Sequence, residues 1–266
     1  MEIEILHHSD INLISELQPA EWYDIMPTID YYTKTDFCFP IKITIDKKIV
    51  GIGTAIIHND IAWLGHIIVH PENRNQGIGK LITQTLIDIV QLKNCDTIYL
   101  IATELGEPVY KKSGFETETE YLFFKDIKTV GAFTIFKNIV AYTDNFSNQL
   151  SHLDKQVSGE DRMFHLEQHL SGGFIYLQDD IVKGFYLPTF GEGLISAITD
   201  SAGLELMKLR LTTKETASFP VDNVTATEFM HQNNFKEYKT AKRMRLGTKK
   251  NWKPAYIYNR IGGNLG

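Results

Sequence analysis

The residues best suited to chemistry lie in one stretch, His66–Leu81, which reads HIIVHPENRNQGIGKL. An apolar run ends at Pro71, a polar turn follows, and Gln76-Gly77-Ile78-Gly79 leads into a segment with helical periodicity. The first N–H groups of a helix lack intrahelical acceptors, and the helix dipole adds to their pull on anions. Gly77 and Gly79 remove the side chains that would hold a phosphate away from the backbone. Arg74 and Lys80 place positive charge beside them. The arrangement describes a cradle for a pyrophosphate.

Other clusters carry less. His165 and His169 are four apart, but in HLEQH the glutamate is third, so the HExxH zinc pattern is not met. Cys38 and Cys95 have no metal-type or CxxC spacing, and no metal or disulfide framework is expected. Residues 236–260 carry nine Lys or Arg and one acid, Glu237. No nucleic-acid motif accompanies them, so they read as a solvated strand and tail, and nucleic acid is not expected as a partner.

The elements that would position the cradle follow from the pattern. Residues 12–22 suggest a short helix. Ile41–Ile45, Ile49–Ile57 and Ile61–His70, separated by Asp46-Lys47-Lys48 and His58-Asn59-Asp60, read as an antiparallel meander. Ile78, Leu81, Ile82, Leu86 and Ile89 make one apolar helix face. A buried strand Thr97–Ala102, a short helix Glu107–Lys112 closed by Gly114, and a strand from Phe115 to about Phe124 complete the first half. The second half repeats the order. A strand in AFTIFKNIVAYTD precedes a helix ending at Gly172-Gly173, then a hairpin turning at Asp179-Asp180 and a helix near Ser201–Leu209. The strand ETASFPV, a helix capped by Asp222 and the strand FKEYKTAKRMRL close it.

Size and charge agree with a division. A chain of 266 residues admits one large domain or two smaller ones. Residues 1–127 hold 10 basic and 19 acidic residues, and the remainder hold 17 and 14, so the halves differ in character. No run of about 18 apolar residues suits a membrane span. The acidic start, MEIEILHHSD, lacks a signal-peptide pattern, so a cytoplasmic location is expected.

VHPENRNQGIGKLIT resembles motif A of the GNAT superfamily of acyl-CoA N-acyltransferases, with Arg74, Asn75, Gln76, Gly77, Ile78 and Gly79 at its fixed positions. PVYKKSGF, Pro108–Phe115, is similar to that family's tyrosine-containing element. The resemblance covers about residues 1–127. It implies that acetyl-CoA lies between the fourth and fifth strands, with its pantetheine on the backbone near Ile68 and Val69. Its pyrophosphate would lie on the N–H groups from Asn75 to Lys80, and Tyr110 would protonate the departing thiolate. Alternation along the fourth strand turns Trp63 and Gly65 toward the acceptor and His66 away. Trp63 would then shape the acceptor pocket. The general base stays unassigned, with Glu104, Asp60 and Glu21 as weaker candidates.

The second half is similar to the C-terminal GNAT-like domain of tandem bacterial acetyltransferases, through Asp154, Gly159, Asp161 and Arg162, then Pro220, Asn223, Ala226 and Phe235. Phe190-Gly191-Glu192-Gly193 is placed at its phosphate-motif region, where Glu192 would oppose an anion. The expected fold is α/β (α+β), two GNAT-like domains, each a mostly antiparallel mixed sheet with flanking helices. Residues 1–127 are the catalytic domain and 128–266 the degenerate domain with its tail. The resemblance implies an acetyl-CoA-dependent N-acetyltransferase acting on a small-molecule or amino-acid amine without a metal. The alternative is an acyl-CoA-binding regulator without turnover.

Overall fold

The computed structural model describes residues 1–20, 22–128 and 137–266. The chain divides into two compact units that interleave in sequence. Unit 1 comprises Met1–Thr117, Met244–Lys249 and Gly263–Leu265; unit 2 comprises Glu118–Arg243, Lys250–Gly262 and Gly266.

Unit 1 begins with β1 (Glu2–Ile5), paired antiparallel to β2 (Cys38–Ile45). The helix expected over 12–22 is not formed. Two 3₁₀ turns, His8–Leu13 and Ser15–Leu17, stand there, and α1 covers Met26–Tyr32. Gln18 takes extended backbone before Pro19, and its side-chain amide donates to the carbonyls of Pro19 (2.9 Å), Trp22 (3.3 Å) and Tyr23 (3.2 Å). A side chain that satisfies the local backbone in this way competes with helix formation.

The meander is present as β2, β3 (Lys48–His58) and β4 (Ile61–Val69). Its first turn uses Asp46 and Lys47 at positive φ and its second uses Asn59. α2 (Ile78–Leu92) crosses over to β5 (Thr97–Ala102), which runs parallel to β4. Ile78, Ile82, Leu86, Ile87 and Val90 of α2 pack on Ile41, Ile43, Ala55, Leu64 and Leu100. The helix lies close to the sheet because β3 is bare at Gly53, where a Cβ would come within 2.5 Å of Ile82. α3 (Glu107–Lys112) follows. Beyond β5 the next strand of unit 1 is Met244–Gly247, the end of β12 (Glu237–Gly247). Thr248 N donates to Asp96 O (2.9 Å) and Thr97 Oγ1 to Thr248 O (2.7 Å).

Unit 2 holds most of β6 (Glu116–Phe124), then β7 (Ile139–Ala141), α4 (Ser147–Ser158), α5 (Met163–Leu170) and the hairpin β8 (Phe174–Gln178) with β9 (Ile181–Leu187). β10 (Leu194–Ala197), α6 (Asp200–Leu211), β11 (Ala217–Pro220), α7 (Val224–Gln232) and β13 (Ile257–Asn259) follow. One sheet runs β13-β10-β9-β8-β7, and β11 pairs antiparallel with β6. The single helix expected to end at Gly172-Gly173 is two, because Gly159 at φ 74 closes α4. Part of the strand expected in AFTIFKNIVAYTD lies outside the described residues; Ile139–Ala141 is its described portion. The cap of α7 is Asn223, whose Oδ1 accepts from Ala226 N (2.9 Å); Asp222 instead accepts from the Thr119 hydroxyl.

The expectation of α/β units built on mostly antiparallel mixed sheets therefore holds. Among the described residues no helix is long and apolar enough to cross a membrane.

Candidate active site

The site of unit 1 begins where β4 and β5 stop pairing. Their ladder runs from Ile61 opposite Thr97 to Leu64 opposite Leu100, and Gly65–Val69 and Ile101–Ala102 lie beyond it. On the β3 side Ile68 and Val69 oppose Ile52 and Gly51. The other edge of β4 faces the gap, with backbone groups placed for an extended ligand.

After β4, Pro71–Asn73 form a 3₁₀ turn and Arg74 is extended. Asn75 (φ 60) and Gly77 (φ 83) take left-handed backbone, which turns the chain into α2. Asn and Gly are the residues that adopt this region most readily. The first bond of α2 runs from Leu81 N to Gly77 O (3.0 Å), so the amides of Ile78, Gly79 and Lys80 precede it. A Cβ at Gly77 would meet nothing within 4 Å, and one at Gly79 only Val69 Cγ2 at 3.8 Å. The space above the cradle is thus open. Arg74, Asn75, Gln76 and Lys80 are exposed, whereas the Ile78 side chain is in the core, so only its backbone can serve a ligand. Arg74 Nε donates to Val69 O (3.2 Å) and Gln76 Nε2 to Glu72 O (3.3 Å), which fixes the loop.

Tyr110 is buried on α3. Its ring meets Phe115 edge-on at 6.0 Å, and a Cβ at Gly106 would lie 3.2 Å from its hydroxyl. Burial pushes the phenol up to about 12, so it keeps its proton at neutral pH. A phenol that keeps its proton can donate it to a thiolate.

The structure corrects the side on which His66 lies. The β3–β4 register shifts between Ile52–Ile68 and Thr54–Gly65, and His66 sits in that bulge at φ 50. The extra residue breaks the alternation, so His66 faces the same side as Gly65. Tyr32 Oη lies 3.0 Å from His66 Nδ1 and would lie 3.7 Å from a Cβ at Gly65. Tyr32 Oη also accepts from Asn264 Nδ2 (2.7 Å), and Trp22 meets the imidazole edge-on at 6.0 Å. Burial lowers the His66 pKa to about 4, which leaves a neutral imidazole. The sequence signal for His66 was its place inside the apolar run WLGHIIV; Tyr32 and Asn264 had none. Trp63 is fully buried, its ring 5.2 Å from Tyr99. Asp60 lies in the turn before β4, at the opposite end of that strand from the cradle, and Glu104 is exposed in the turn after β5. Glu21 lies outside the described residues. No cluster of three potential metal ligands occurs among the described residues.

A strand, a glycine turn and a helix N-terminus thus stand beside an unpaired parallel wedge. The model of the acetyltransferase (GNAT) family matches residues 7–115. A solved structure of a Pyrococcus horikoshii protein assigned as an acetyltransferase is 21% identical, with a TM-score of 0.83 over 100% of this chain and 95% of that one. A tandem GNAT protein from clavulanic acid biosynthesis is 11% identical (TM-score 0.62, 94% and 99% covered). A GCN5-related N-acetyltransferase from Sphaerobacter thermophilus is also 11% identical (TM-score 0.63, 96% and 98% covered). Among curated protein sequences none matches. Residues 7–115 thus match the GNAT family model, and over its whole length the chain shares the fold of these solved structures.

Phe190–Gly193, expected at the phosphate region of the second unit, instead lie between β9 and β10, and the strand–helix junction is Ile198–Thr199.

Proposed function

We propose that the chain is an acetyl-CoA-dependent N-acetyltransferase acting on the amine of a small molecule or amino acid, with residues 1–127 as its catalytic portion. The open cradle at Gly77 and Gly79, beside a β4–β5 ladder that stops at Leu64–Leu100, carries this reading. The amides from Asn75 to Lys80 hold the pyrophosphate, with Arg74 and Lys80 balancing its charge. The edge of β4 beyond its ladder with β5, at Ile68 and Val69, aligns the pantetheine. The neutral amine attacks the thioester carbonyl, and as the tetrahedral intermediate collapses the C–S bond breaks with Tyr110 donating its proton to sulfur; the proton shed by the new amide nitrogen passes to solvent water, from which the Tyr110 phenolate is reprotonated. A neutral His66 adds no cationic charge that would repel the incoming amine. Residues 128–266, apart from Met244–Lys249 and Gly263–Leu265 of unit 1, make the degenerate domain, and the protein works in the cytoplasm without a metal.

The second reading is an acyl-CoA-binding regulator. Its support is that Trp63, Gly65, His66 and Ile68 put no carboxylate on that face of β4. Purified protein with acetyl-CoA and a panel of amino acids, polyamines and aminoglycosides separates the two. Free thiol released with one amine class supports the enzyme. CoA binding with no release from any amine supports the regulator. Gly77→Glu abolishes binding under both, whereas Tyr110→Phe slows release and spares binding only under the first.

A further inference from the structure

Unit 2 repeats the strand, helix, strand arrangement of the unit 1 site as β10, α6 and β11, but its wedge is filled. β13 stands beside β10, with Asn259 opposite Ile195 and Ile257 opposite Ser196. On its other side Arg260 N donates to Ser218 O of β11 (2.9 Å), and Ser218 N donates to Asn259 Oδ1 (3.0 Å). The Asn259 amide nitrogen donates to Gly193 O (2.9 Å) and Glu192 O (3.2 Å). Ile257 O accepts from Asn223 Nδ2 (3.0 Å), the cap residue of α7.

The start of α6 is occupied as well. Only Ile198 and Thr199 link it to β10, and the Thr199 hydroxyl accepts from Ala202 N (3.3 Å). Asp200, the first helical residue, puts a carboxylate where an anion would approach, and it accepts from Tyr258 Oη (3.2 Å). The Tyr258 ring is fully buried against Gly203, where a Cβ would fall 2.1 Å from it. Arg260 closes the arrangement with two bonds to the Glu192 carboxylate, Nε to Oε2 at 3.0 Å and Nη2 to Oε1 at 2.5 Å.

We propose that Ile257–Arg260 is the ligand of the unit 2 cleft. An extended peptide supplies between β10 and β11 the backbone donors and acceptors that a pantetheine would offer, and Tyr258 covers the helix start. The chain therefore carries one acyl-CoA site, in unit 1. That count rests on the function proposed above; the occupation of unit 2 does not.

Residue-resolved hydrogen exchange on the full chain, with and without CoA, tests this. The amides of Ser218 and Arg260 exchange as slowly as the core without CoA, and CoA slows only residues 75–80. Asn259→Ala speeds exchange at Ser218 and Arg260 at least tenfold and leaves the CoA effect at 75–80 unchanged. Loop-rate exchange at Ser218 and Arg260 in the unaltered chain, or new CoA protection in β10, α6 or β11, overturns the proposal. So does an Asn259→Ala chain that exchanges like its parent. If CoA slows nothing anywhere while Ser218 and Arg260 remain slow, the function proposed for unit 1 fails and the occupied cleft stands.

Discussion

Gly77 separates the backbone requirement of the cradle from its ligand. Its φ of 83 lies in the left-handed region, and a Cβ there would touch nothing within 4 Å. Any loss of stability on substitution must then come from the dihedral and not from a clash. An L side chain in that region costs about 1–2 kcal/mol, a penalty that Asn tolerates better. Gly77→Ala is therefore expected to lower Tm by roughly 2–8 °C at about 2–4 °C per kcal/mol. Gly77→Asn should lose clearly less. Both side chains enter the space above the cradle, so both should weaken CoA binding at least tenfold, about 1.4 kcal/mol. Differential scanning calorimetry and titration calorimetry read the two effects separately. Equal loss of stability in both variants would refute the dihedral argument. The expected stability order with unchanged CoA affinity would refute the cradle.

His66 predicts an acid window. Burial pushes its folded pKa down to about 4, below the ordinary imidazole value of about 6.5. The unfolded chain therefore takes up the proton first as pH falls, and stability present above pH 6.5 is lost down to pH 4, by about 3 kcal/mol at most. His66→Gln should flatten the Tm difference between pH 7 and pH 4.5; an unaltered difference would assign the acid sensitivity to other groups. In unit 2, Arg162 binds Asp154 through Nε and Nη2, each at 2.9 Å, with both side chains buried. Asp154→Ala strips both bonds from a buried guanidinium and should cost about 3–5 kcal/mol by urea unfolding, with the double variant Asp154→Leu/Arg162→Met recovering part of it. Asn223→Ala removes the α7 cap and the bond to Ile257 O, and should cost at least about 1 kcal/mol in the same assay.

What the sequence disclosed was local. α3 matched its expected bounds because Pro108 near its start and Gly114 beyond its end mark both limits. The turn into α2 was legible because two glycines, a basic residue on each side and the change of period lie within a few residues. The bulge at His66 was not, since an extra residue on one strand is defined only by its partner, and WLGHIIV reads equally well unbroken. Asp222 and Asn223 are equivalent candidates as caps, and contacts from Thr119 and Ile257 decide between them. Nothing near Asn259 or Asn264 announces partners at Ser218 and Tyr32, because long-range pairing leaves no periodicity in either segment.

The strand Met244–Gly247 sets a timetable for synthesis. It completes unit 1 beside β5, and the bond from Thr97 to Thr248 spans 151 residues. At about 5–20 residues per second, a ribosome needs roughly 8–30 s to make that interval. During it the nascent β5 carries an unpaired edge, the kind of surface that recruits other strands. Unit 1 is thus the one that cannot finish until Met244–Lys249 have been translated, long after β5. Slowed elongation within residues 98–248 would lengthen the period in which chaperones must shield it.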